Sequence, residues 1–182
     1  GLEYLEKMNF SKLDENDKRP ASALGGFTNG VSPLEMAAGY ATIENDGYYR
    51  EPTCILKITD SSGEKILSTK QEETAVYKEN ASRMMTDILK GVLTNGTGRG
   101  LALDGMPCAG KTGTTNENKD GWFVGYTRYY TTSVWVGYDM PKKLSGLSGA
   151  SYPGRIWKTF MQKIHEGLEP QEFLSYESGQ PK

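Results

Sequence analysis

The chain has 182 residues, with 21 Lys and Arg against 23 Asp and Glu, one His and two Cys, which suits one ordinary domain or a large part of one. A net charge of -2 gives no general pull toward nucleic acid or anionic lipid. One His and two Cys leave no conventional metal cluster, and no apolar run reaches the roughly 18 residues of a membrane span. Neither a metal, a cofactor, a nucleic-acid partner nor a membrane segment is therefore expected in this chain.

Leu2, Leu5 and Met8 fall at helical spacing with no capping residue ahead, as at the end of a helix begun elsewhere. After a polar stretch, Ala23-Leu-Gly-Gly-Phe27 suits a short strand or loop. Ser32-Pro-Leu-Glu35 is a strong helix start, with a capping Ser, Pro at the first helical position and an acid three residues past the cap. The helix is expected over 33–46, with Leu34, Ala37, Ala38, Tyr40 and Ala41 toward the core and Gly47 as its stop.

Thr53–Ile58 and Glu64–Leu67 flank Asp60-Ser-Ser-Gly63 and predict a hairpin. From Ala81 to Thr94, apolar residues recur every three or four positions, so an amphipathic helix is expected, with Met84 and Met85 in its core face. Trp122–Thr127 and Thr131–Asp139 read as strands joined tightly through Arg128-Tyr-Tyr130. A last helix runs from Ser151 or Pro153 to about Glu166, burying Ile156, Trp157, Phe160, Met161 and Ile164. Cys54 and Cys108 read as buried single thiols, and His165 as a surface residue at a helix end. Three successive strands between two amphipathic helices argue for an α+β fold, an antiparallel sheet with packed helices.

Gly105-Met-Pro-Cys-Ala-Gly-Lys-Thr112 matches the nucleotide-binding pattern G-x-x-x-x-G-K-[ST] at every fixed position. Its context argues against nucleotide. Leu101–Asp104 is too short for the required buried strand, Gly113–Asn118 has no helical stripe, and Pro107 removes an amide from the would-be cradle. The competing reading makes Lys111-Thr-Gly-Thr114 a strand lining a cleft. Gly113 would then leave room for an extended ligand against the backbone, while Lys111 and the threonine hydroxyls meet a carboxylate. A bare glycine turn with a solvated lysine is the bland alternative.

The surroundings carry more. Ser32–Thr42, Asn45–Pro52, Gly96-Thr-Gly98, Ala109–Thr115 and Asp120–Thr127 occur in the order and composition that resemble the C-terminal half of the transpeptidase domain of class A high-molecular-weight penicillin-binding proteins, from about Leu24 to Gly167. The resemblance implies an incomplete part of the penicillin-binding, serine β-lactamase-like fold, spanning 1–170, with an accessory hairpin at about 51–69 and a tail at 171–182. It implies that Lys111, Thr112, Gly113 and Thr114 bind the carboxylate end of a peptidoglycan stem peptide or a β-lactam, and that the Thr114 amide is half of an oxyanion hole. Other parts of the family pattern are absent. The only S-x-x-K string, Ser62-Gly-Glu-Lys65, lies at the hairpin tip, and no S-x-N string occurs. The nucleophile is therefore expected outside this chain, together with the rest of the domain and a membrane anchor that would hold it at the extracytoplasmic face of the bacterial cell membrane. The piece alone should be inactive in D,D-transpeptidation and should leave a sheet edge and apolar helix faces uncovered. A non-catalytic penicillin-binding sensor is the alternative.

Overall fold

A computed structural model describes residues 1–179. The end of the expected tail, 180–182, lies outside the described residues. The centre is a three-stranded antiparallel sheet of β5 (Ala109–Thr114), β6 (Gly121–Tyr126) and β7 (Thr131–Val136), in spatial order β5-β6-β7. Two earlier strand pairs are small: β1 (Tyr48–Arg50) with β4 (Glu73–Ala75), and β2 (Lys57–Thr59) with β3 (Lys65–Ser68). The helices are α1 (Leu2–Lys7), α2 (Pro33–Glu44), α3 (Glu79–Thr94) and α4 (Tyr152–Ile164).

Side chains alternate across a strand, so β6, central and nearly fully buried, feeds two cores. Phe123 joins Trp157 and Met161 of α4, with Leu93, Leu101, Leu103, Met106 and Cys108 around them. Tyr126, on the opposite face, packs with Ala109 and Leu89 of α3, while Tyr40 and Ile43 of α2 close the edge of that cluster. Gly125 permits the closest approach of helix to sheet. A Cβ there would lie 2.6 Å from the Trp157 ring, and the bare backbone instead receives the Trp157 Nε1 hydrogen bond at its carbonyl, 3.2 Å away.

The expected start of α2 forms as a reciprocal capping box. The Glu35 amide donates to Ser32 Oγ at 3.2 Å, and the Glu35 carboxylate accepts from the Ser32 amide and hydroxyl at 2.7 and 2.8 Å. The same carboxylate accepts from the amide and hydroxyl of Ser11, at 2.7 and 2.9 Å, tying the N-terminal segment to the helix. Partial burial works against the charged form, but these donors overcome it and bring Glu35 down to about 2. A carboxyl whose pKa is lowered on folding contributes stability above its unfolded value, which is lost as pH falls toward the folded one. Resistance to urea is thus expected to fall between about pH 4.5 and 2, and Glu35→Gln should flatten that acid limb. An unchanged acid limb in the variant would remove Glu35 from the account.

Several expectations from sequence are corrected. Met84 and Met85 are 38% and 43% exposed, because α3 faces the sheet through Ser82, Thr86, Leu89 and Leu93. Polar residues take that row since Thr86 Oγ shares a 2.9 Å hydrogen bond with the buried Tyr126 hydroxyl. On α4, Trp157 and Met161 are buried and Ile164 packs beside them, but Ile156 and Phe160 lie half-exposed one row over. On α2, Gly39 and Thr42 are the buried positions and Leu34 is exposed. Cys54 is exposed, since 53–56 forms no strand and the β2–β3 hairpin stands clear of the core. Cys108 is buried as expected, and burial raises its thiol pKa.

His165 is buried rather than on the surface. Its Nδ1 donates to the Met161 carbonyl at 2.6 Å, which leaves Nε2 to accept from the Thr127 hydroxyl at 2.8 Å. Thr127 Oγ in turn accepts from the Tyr129 and Tyr130 amides. The single histidine thus fastens the end of α4 to the β6–β7 turn. Residues 171–179 also return to the body: Phe173 meets the Tyr126 ring edge-on, and Glu177 exchanges two hydrogen bonds with Asn80.

Candidate active site

Lys111 sits in the middle of β5, paired with Val124, and Gly113 pairs with Trp122. A strand at this position excludes the nucleotide-binding reading, which needs Lys111 at the start of a helix. β5 is an edge of its sheet. Beyond its end the Thr115 amide donates to the Asp120 carbonyl at 3.0 Å, continuing the ladder. In an antiparallel pair, residues alternate between those that exchange hydrogen bonds with the partner strand and those whose backbone groups turn away. That alternation turns the backbone groups of Thr112 and Thr114 toward the open edge. The Lys111 ammonium donates to the outward Thr112 carbonyl at 2.8 Å, holding positive charge over that edge.

The side chains of Thr112 and Thr114 share the other face, and each hydroxyl has a partner. Thr112 Oγ lies 2.6 Å from Thr97 Oγ, and Thr114 Oγ accepts from the Gly149 amide at 3.0 Å. Gly149 lies so close to the ladder that a Cβ would fall 2.5 Å from the Trp122 carbonyl oxygen and 2.8 Å from both Gly113 N and O. Gly113 itself has a Cβ position 3.2 Å from Trp122 Cβ, so a side chain there would crowd the neighbouring strand. Sequence reasoning gave neither Thr97 nor Gly149 a role. Gly96-Thr-Gly98 offered a signal for the first, while Gly149 lies in an aperiodic Gly- and Ser-rich stretch that offered none.

The arrangement is an open-edged strand with a cation, two hydroxyls and outward backbone donors, able to take an extended ligand with an anionic end. Ser62 and Lys65 are far from this role in local structure: the Ser62 hydroxyl donates to Asp60 at 2.7 Å in the hairpin turn, and both residues are exposed. Among the described residues there is no group of three or more His, Cys, Asp and Glu fit to hold a metal, and no helix long and apolar enough to cross a membrane.

Fold and edge strand together define an α+β domain of the penicillin-recognising kind. The penicillin binding protein transpeptidase domain model matches residues 4–164, and the chain belongs to that family. It is 37% identical over 162 residues to penicillin-binding protein 4 of Bacillus subtilis and 36% identical over 170 residues to penicillin-binding protein 1A of Clostridium acetobutylicum. Those matches cover 89% and 92% of this chain but only 26% and 21% of the relatives. Among solved structures, PonA1 from Mycobacterium tuberculosis in complex with penicillin V superposes with a TM-score of 0.82 at 26% identity, over 96% of this chain and 51% of that one. Penicillin-binding protein 1A from Haemophilus influenzae shares the fold, with a TM-score of 0.79 over 94% of this chain and 31% of that one.

Proposed function

We propose that this chain supplies the K-T-G half of a serine D,D-transpeptidase domain that cross-links peptidoglycan stem peptides and is acylated by β-lactams. Residues 1–170 belong to that domain, with 51–69 an accessory hairpin and 171–182 a tail. The observation that carries the reading is the open edge of β5. Lys111 and the hydroxyls of Thr112 and Thr114 hold the ligand's carboxylate, Gly113 leaves room for the ligand to lie against the backbone, and the Thr114 amide points at the position where a carbonyl oxygen gains negative charge. The serine that attacks that carbonyl carbon, forming an ester and expelling the amine, comes from polypeptide outside this sequence, as does the anchor at the extracytoplasmic face of the membrane. Without that serine the chain alone is inactive.

The test joins this chain to the part of its domain that carries the serine and measures acylation by a fluorescent penicillin. Lys111→Ala is expected to slow acylation by about 10²–10³, the scale of losing one preorganised electrostatic contact, while Lys111→Arg retains part of the rate. An unaltered rate in Lys111→Ala would refute the carboxylate role. Saturable penicillin binding with no covalent adduct would instead favour a non-catalytic sensor.

A further inference from the structure

A second cleft, of about 840 Å³, lies between α4 and the 99–101 segment, and Arg99, Arg155, Lys158 and Lys163 line it. That size suits a small extended ligand. The positive charge is local, since the whole chain carries -2. Glu166 is the single carboxylate of the lining among the described residues, and Lys163 engages it at 2.8 Å. Lys158 donates to the Gly100 carbonyl at 3.3 Å and stands 3.9 Å from Asp104. The guanidinium groups of Arg99 and Arg155 have no hydrogen bond or ion pair among the described residues. Two unengaged planar forks lining one cleft are suited to bidentate recognition of carboxylates.

The walls of this cleft are also the supports of β5. Arg99 follows by two residues Thr97, whose hydroxyl meets Thr112, and Ala150 follows Gly149, whose amide meets Thr114. Buried Leu101 and half-buried Ala150 give the cleft an apolar floor for aliphatic stems. We infer that the cleft is a subsite for an acidic peptide segment, holding two or more carboxylates in addition to the one taken by Lys111. The choice of a peptide ligand rests on the transpeptidase reading. Occupancy of the cleft bears on Thr97 and Gly149 and thereby on the two strand hydroxyls.

The probe is triglutamate, titrated into the ¹⁵N-labelled chain at low ionic strength, where exposed charges are least screened. Saturable shifts are expected at the amides of Arg99, Gly100, Ala150 and Arg155, spreading to Thr97 and Gly149. The double variant Arg99→Gln/Arg155→Gln should weaken binding at least tenfold. Arg155→Lys, which keeps charge and fold but loses the fork, should lose about threefold. Lys12→Gln/Lys70→Gln removes equal charge elsewhere and should change little. Equal weakening by that control pair, tighter binding of inorganic phosphate than of triglutamate, or shifts centred away from the cleft would each overturn the assignment. Penicillin acylation of the intact domain is read separately: if it fails while triglutamate still binds here, the transpeptidase reading falls and the anion site stands.

Discussion

Trp157→Ala is expected to cost about 3–5 kcal/mol in urea unfolding, the range for truncating a fully buried large aromatic side chain. Trp157 has no exposed surface, its ring centroid lies 4.8 Å from that of Phe123, and its indole N–H reaches the Gly125 carbonyl. The cavity cannot close easily, because Gly125 has no side chain to move into it and Met161 is already packed. Against a typical total of about 5–15 kcal/mol, the loss threatens folding itself. Ile156→Ala on the same helix is the control: half-exposed Ile156 should cost less than about 1.5 kcal/mol. Equal costs at the two positions would show that α4 is not held to the sheet in the way described.

The second large effect is expected from Gly149→Val. The obstacles to a side chain at this position are backbone atoms of β5 and β6, so no rotamer change can relieve them. The 148–151 turn must lift, at about 1–3 kcal/mol, and the amide that donates to Thr114 Oγ leaves with it. In the intact domain the lost hydrogen bond should slow penicillin acylation by about fivefold, on the scale of roughly 1 kcal/mol for one such bond. Gly91→Ala gives the contrast, because the helical position is open and the exchange should stabilise α3 by about 0.5–1 kcal/mol. If Gly149→Val destabilises the chain yet leaves acylation unchanged, Gly149 supports the fold without positioning Thr114.

The parts of this fold that the sequence disclosed are those with a local cause. Ser32-Pro-Leu-Glu35 carries its own cap, α3 and α4 carry helical periodicity, and β6 and β7 are strand-forming runs around a tight turn. The edge strand was legible for a different reason, since K-T-G is informative only among its neighbours, and the order of those neighbours carried the family. What stayed hidden depends on partners distant in sequence. Nothing local shows that Thr86 rather than Met85 faces the sheet, because the choice is made by the Tyr126 hydroxyl across the core. His165 looks like a helix-end cation until Thr127 is brought against it. Phe173 and Glu177 lie in an aperiodic stretch, yet pack on residues far earlier in the chain.

Exposed Leu34, Met84, Met85 and Ile88 on α2 and α3, exposed Ile156 and Phe160 on α4 across the sheet, and the open edges of β5 and β7 accord with the proposed role as part of a larger domain. Apolar surface of this kind calls for a covering partner, and the polypeptide that supplies the nucleophile is the partner we propose. An added strand at β7 would satisfy backbone groups that otherwise invite pairing with other chains.

The central claim is that the anion-holding strand is here and the attacking oxygen is not. Intact mass spectrometry of the 182-residue chain after incubation with excess penicillin tests it most directly. The account predicts an unshifted mass for the chain alone and a single stoichiometric adduct once the serine-bearing part is restored. A stoichiometric adduct on the chain alone would place the nucleophile within these residues and contradict the account.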